Sequence, residues 1–298
     1  SVSIDEIEHI QLCGRLGAKD LGAAALACRL WRDACRRLRR IPQWVGALSQ
    51  LQDVEAAVHE AVGCALRRTR FRPDVAFVFA TPYFGMGNMK EMQKMHVTLK
   101  QALGPSVPIC GCTGHAIIGT DGGAGKRPVL LEDGDAALSI SLVYFAGQCE
   151  ASVSYFKHGG VVPAQPPCAE KQLVFLTVPR SAGSANSTIS ALCASADKAV
   201  VFGGIASGSR AGRGESAVAL FHPDGCAGNG SLCCTLTPTG GGGQQLDAVV
   251  VSATARVGVC YKVVESEQIE DGRGRTFTHI SSVADPADPG GLPSLSLS

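Results

Sequence analysis

The sequence predicts a mixed α/β fold, with a short helical segment followed by a domain of mixed β-sheet, packed helices and weak internal duplication. Three observations lead there. The first forty residues carry apolar side chains at helical spacing, and two later stretches each read strand–helix–strand. Each of those units then runs through a glycine-rich stretch into another apolar strand. A chain of 298 residues with 45% hydrophobic content can fill a core of this size.

In the first segment, Ile4, Ile7, Ile10, Leu12 and Leu16 form one helical stripe, interrupted at Gly14 to Gly17. Asp20 can cap a second helix carrying Leu21, Ala25, Leu26, Cys28 and Trp31. Helices this short need a partner surface or an adjoining domain to be stable. The segment closes on Arg36-Arg37-Leu38-Arg39-Arg40. A run of this kind can be a nuclear signal or a phosphate-binding patch, but no aromatic interleaving or second basic stripe follows. Cations at a helix end complement the negative pole of its dipole, so it is expected to be a solvated terminus.

Ile41-Pro42 marks a break. From Asp53 to Arg70 a helix is expected, burying Val54, Ala57, Val58, Ala61, Val62, Ala65 and Leu66. Val75 to Ala80 is an apolar run suited to a strand covered on both faces. An amphipathic helix with Met89, Met92, His96, Leu99 and Leu103 follows, stopped by Gly104-Pro105, and a strand begins at Val107. Strand, helix and strand in this order imply a parallel pair. Lys171 to Pro179, Ser184 to Ala196 and Lys198 to Gly204 repeat the unit. The strand after the first unit, Ala136 to Phe145, is matched here with Ala217 to Phe221 after the second, around one mixed sheet system. Glycine turns at the two strand ends would then share a crevice.

Bulk properties bound the partners. The formal net charge of +1 gives no global reason to expect nucleic acid or an anionic membrane. No run reaches the apolar length of a membrane-spanning helix, and no basic n-region opens the sequence. With thirteen cysteines, an odd number, the reading is a reduced cytoplasmic or nuclear compartment with thiols serving as small core residues.

Cys110-Gly-Cys112-Thr113-Gly114-His115 is the most reactive-looking string. A thiolate beside an imidazole could be a nucleophile or, with a third ligand, a metal site. A single CxC without a second pair is a poor zinc signature, so no metal or cofactor is expected and the string is read as a pocket wall. Gly111 and Gly114 would admit close backbone approach, and Thr113 would donate a hydrogen bond. Gly119 to Arg127 misses the phosphate-loop spacing and is read as a surface loop. Gly240 to Gly243 reads as a linker, and Cys233-Cys234 as a strand pair with one thiol on each face.

Two resemblances add to this. Leu16 to Leu21 with Ala25 to Arg32 resembles the F-box, although the usual opening Leu-Pro pair is absent. That resemblance implies a Skp-type adaptor and cullin scaffold as partners, with Leu16, Leu21, Leu26, Cys28 and Trp31 at the adaptor interface. Phe77 to Pro82, Val107 to Gly119, Val201 to Ser207 and Ala255 to Val264 together resemble the N-terminal FIST domain. It implies a ligand-sensing module whose pocket would use Cys110, Gly111, Cys112, Thr113, Gly114, His115, Gly203, Gly204 and Ser207. The expected organisation is an F-box-like segment at 1–40, a linker and helix at 41–72, and a FIST-like domain at 73–265. Residues 266–298 then read as the start of a truncated C-terminal FIST region and a Pro/Gly/Ser-rich tail. The joint expectation is a non-catalytic adaptor of a ubiquitin ligase that recognises an unknown substrate protein or a small metabolite. The alternatives are a stand-alone amino-acid-like sensor and an enzyme using Cys110 or Cys112.

Overall fold

The computed structural model describes residues 18–27, 29–85, 89–119, 129–132, 135–157, 172–179, 199–206, 218–239, 262–270 and 276–284. The chain divides into two units, Ser1–Ala248 and Val249–Ser298.

The first unit begins with helices α1 (Ala18–Ala27) and α2 (Arg29–Leu38), which fold against each other. Leu21, Ala34, Cys35 and Leu38 form their shared core, with Ala24, Ala25, Trp31 and Phe71 packed around it. Phe71 belongs to the α/β domain, so the hairpin rests on that domain. The cooperative burial that two short helices lack alone comes from there.

Strand β1 (Gln43–Ser49) follows, inside a stretch expected to hold only a linker and a helix. Helix α3 (Val54–Arg68) opens at Asp53, whose carboxylate accepts from the Ala56 amide at 2.8 Å. Its buried face is Val54, Ala57, Val58, Ala61, Val62 and Ala65, as the periodicity predicts, while Leu66 is exposed. Strand β2 (Val75–Ala80) and helix α4 (Met89–Leu103) lead to β3 (Ile109–Thr113), and β2 and β3 are parallel. A two-stranded ribbon, β4 (Ala116–Gly119) with β5 (Val129–Glu132), precedes β6 (Leu138–Tyr144).

The second half of this unit holds β7 (Cys149–Phe156), β8 (Gln172–Pro179), β9 (Ala199–Ala206), β10 (Leu220–His222), β11 (Gly225–Ala227) and β12 (Ser231–Pro238). Among the described residues two larger sheets result where one was expected, in the orders β1-β6-β2-β3-β10-β11 and β7-β12-β8-β9. Residue alternation explains their stacking. Along β2, Ala76, Val78 and Ala80 face α3 and α4, while Val75 and Phe77 face the other way. There they join Cys110 and Cys112 of β3 and Leu232 and Cys234 of β12 in a core between the sheets. The layers are therefore helices, six-stranded sheet, four-stranded sheet.

The internal duplication is real, but its register differs from the expected one. β1-β6-β2-β3 and β7-β12-β8-β9 share both order and direction: two antiparallel pairings, then a parallel one. The counterpart of β6 is thus β12, and the run Ala217 to Phe221 was matched wrongly. Its strand, β10, forms a ribbon with β11 just as β4 does with β5, and it pairs with β3 of the other repeat. The expected helix Ser184 to Ala196 lies outside the described residues.

The second unit contains β13 (Lys262–Glu270) paired antiparallel with β14 (Thr276–Ala284). The expected boundary between residues 265 and 266 falls within β13.

Candidate functional site

Ligands of open α/β sheets bind beyond the carboxyl ends of the parallel strands. In the six-stranded sheet those ends are Ala80 and Thr113, and in the four-stranded sheet Pro179 and Ala206. The Gly114 amide donates to the Ala80 carbonyl at 3.0 Å, tying the two exits together. Thr81, fully buried, donates its hydroxyl to the Asp135 carbonyl at 2.6 Å and accepts from the Ala137 amide at 3.1 Å. The chain then enters a 3-10 turn, Pro82–Gly85, in which Tyr83 meets Phe84 edge-on at 5.8 Å. Half-buried Tyr83, Gly114 and His115, with exposed Asp135, therefore ring the strand ends. A phenol, an imidazole, a carboxylate and a glycine backbone suit recognition of a small polar ligand.

The structure splits the expected pocket residues. Cys110 to Thr113 are a buried strand and not a glycine turn. Gly111 is required because a Cβ there would collide with the main chain of Val78 on β2. Thr113 accepts from the Ala219 amide at 3.0 Å inside the core, instead of facing a ligand. Burial pushes the Cys112 thiol up to about 12. The Cys110 thiol is pushed up as well, by its hydrogen bond with Cys234 and by burial. Buried thiols held in the protonated form are poor nucleophiles and poor metal ligands. Gly203 and Gly204 are exposed on β9, an edge strand of the other sheet, so they share no strand end with Gly114 and His115. Ser207 lies outside the described residues, as do the expected linker at Gly240 to Gly243 and, apart from Gly119 at the end of β4, the expected surface loop at Gly119 to Arg127. Cys233 and Cys234 do point to opposite faces of β12: Cys234 joins the core between the sheets, while Cys233 lies against Thr235 Oγ1 at 3.7 Å. Among the described residues no three His, Cys, Asp or Glu side chains gather where they could hold a metal ion.

The expected adaptor-interface residues also separate. Leu21 is 5% exposed in the hairpin's own core, where the Cys35 thiol donates to its carbonyl. Trp31 is half-buried against that core. Leu26 stands 82% exposed, and Leu30, which sequence reasoning passed over, is 39% exposed. Leu16 and Cys28 lie outside the described residues.

A second polar cluster escaped the sequence altogether. His96 on α4 donates Nε2–H to the His222 carbonyl at 2.9 Å, joining residues far apart in the chain. The His222 ring stacks on Tyr155 at 4.4 Å, and its buried Nδ1 has no hydrogen-bond partner among the described residues. Burial lowers both imidazoles below the ordinary 6.5, outweighing the raising effect of Asp224 on each. A group held neutral by folding contributes stability that is present above about pH 6.5 and is lost as pH falls through its folded value. The melting temperature is therefore expected to drop from pH 7 to pH 5, and His222→Phe is expected to make the decline shallower. An equally steep decline in the variant would contradict this.

A helix-backed mixed sheet with polar side chains at its parallel strand ends defines an α/β protein. The sequence matches the FIST N domain family over residues 74–270, and the chain belongs to that family. The α1–α2 hairpin precedes the matched span. No curated relative matches the chain by sequence. Among solved structures, cyanuric acid hydrolase from A. caulinodans is similar to it at 11% identity and a TM-score of 0.28. That likeness covers 67% of this chain and 72% of the other, and at this level it carries no argument.

Proposed function

We propose that the chain is a non-catalytic adaptor in which a ligand-sensing FIST domain carries a helical hairpin that docks a Skp-type adaptor. Through that contact it would bring a substrate protein to a cullin scaffold. The observation that carries the reading is the outward placement of Leu26 and Leu30 on a hairpin whose inner face is closed by its own core together with Phe71. Exposed leucines on a braced helical pair are suited to anchoring a partner, since fully burying one yields about 1.5–3 kcal/mol. The rim at Tyr83, Gly114 and His115 supports sensing of a small, amino-acid-like metabolite, the ligand class that the FIST resemblance implies. Burial of Cys110 and Cys112 favours this over a thiol-dependent enzyme. Unpaired thiols among the described residues fit a reducing compartment, cytoplasmic or nuclear.

Binding to a purified Skp-type adaptor tests the proposal. Leu26→Asp with Leu30→Asp is expected to abolish a stoichiometric complex while leaving the melting temperature unchanged. Substitution of Leu21 is a poorer test, because its core position makes loss of folding indistinguishable from loss of binding. A well-folded parent chain that fails to bind would overturn the adaptor reading and leave a stand-alone sensor.

A further inference from the structure

Two arginine runs in the sequence end two different helices. Arg36-Arg37-Leu38-Arg39-Arg40 closes α2, and Arg67-Arg68-Thr69-Arg70-Phe71-Arg72 closes α3. One or two cations complement a helix dipole, and each run alone reads as that. The fold brings them together at the amino end of β2, away from the FIST strand exits. Tyr144 donates its hydroxyl to the Arg39 carbonyl at 2.9 Å, and its ring lies 4.9 Å from that of Phe71. Beside them opens a cavity of about 620 Å³, lined by Arg39, Phe71, Arg72, Asp74, Ser106 and Tyr144.

Three of the other arginines are already engaged. Arg36 pairs with Asp33 at 3.3 Å, Arg67 reaches Cys64 Sγ at 3.0 Å, and Arg68 donates to the Gly46 carbonyl at 2.8 Å. Arg39 and Arg72 have no carboxylate within 4.0 Å among the described residues. The one acid in the lining, Asp74, accepts from the Phe145 amide at 2.6 Å through Oδ2. Two guanidinium forks favour a phosphate, and Phe71 and Tyr144 supply aromatic lining beside them for a flat ring. The volume lies within the range of small-ligand pockets.

We infer that this cavity binds a free nucleoside monophosphate, its phosphate held by Arg39 and Arg72 and its base against Phe71 and Tyr144. The site is separate from the strand-end rim and does not depend on the adaptor reading. Calorimetric titration of the full chain with AMP, adenosine and inorganic phosphate tests it. AMP is expected to bind at least about tenfold more tightly than either fragment, and more weakly in about 0.5 M salt. Arg39→Gln and Arg72→Gln are each expected to weaken AMP by about tenfold or more. Arg29→Gln, on the exposed opposite end of α2, is expected to leave binding unchanged. All three side chains are exposed, so melting temperatures should not move. Failure of AMP to saturate, or equal affinity in the arginine variants, would overturn the inference. So would a 5′-phosphorylated oligonucleotide or a phosphotyrosine peptide that displaces AMP at far lower concentration, since either would make the free nucleotide the wrong ligand.

Discussion

Gly111→Ala is expected to lower the stability of the α/β domain by about 3 kcal/mol or more, beyond the upper end of ordinary overpacking. The obstacle is the main chain of Val78, its register partner on the parallel strand β2. A flexible side chain could swing aside, but a ladder-bonded backbone cannot do so without parting β2 from β3. Because both strands lie between the helical layer and the second sheet, separating them would disturb two cores at once. Such a loss is a large share of the about 5–15 kcal/mol that stabilises a typical domain. Gly204→Ala is the matched control, since a Cβ there meets open space. Its urea midpoint should stay within about 0.5 kcal/mol of the parent value. Equal midpoints for the two variants would contradict the close approach at Gly111.

Alkali should produce the second large effect. Burial pushes Cys112 and Cys226 up to about 12 and Cys233 to about 11, from an ordinary 9.0. Cys110 moves in the same direction. The folded state holds these protons more tightly than the unfolded chain does. Their contribution is therefore fully present below pH 9 and is lost as pH rises through the folded values. At about 1.4 kcal/mol per pH unit and group, Cys112 alone could remove roughly 4 kcal/mol by the end of that window. Urea midpoints at pH 7, 9 and 10.5 should fall steeply over the last step. The Cys112→Ala variant should fall less over the same step. A flat profile would mean that these thiols reach solvent, which would reopen the thiol-dependent enzyme.

Much of the fold is local information. The alanine and valine spacing of α3, the methionine face of α4 and the apolar run of β2 each announce an element through its period. What sequence reading missed depends on distant pairing. Strand β1 carries a glycine at its centre, and its alternation becomes meaningful only beside β6. The run Ala217 to Phe221 looks like the second repeat's return strand until β10 is seen to cross to β3.

The site followed the same division. Gly114 and His115 stand at the strand exits, whereas the glycine and cysteines before them, which read as a turn, lie within β3. Gly111 serves close strand packing, which mimics the composition of a ligand loop. Leu21 and Leu26 look alike on one helix, and only the return of α2 places one inside and the other outside. Both arginine runs were visible in the sequence. Their meeting was not, because it depends on the contact between Phe71 and Tyr144 across strand ends.

The central claim is that an outward-facing hairpin couples a FIST domain to a Skp-type adaptor. Titration of the purified adaptor with the parent chain and the Leu26→Asp, Leu30→Asp variant tests it most directly. The account predicts a one-to-one complex for the parent and at least about a hundredfold weaker binding for the variant at unchanged melting temperature. Equal affinity for the two, or no complex with a folded parent, would contradict it.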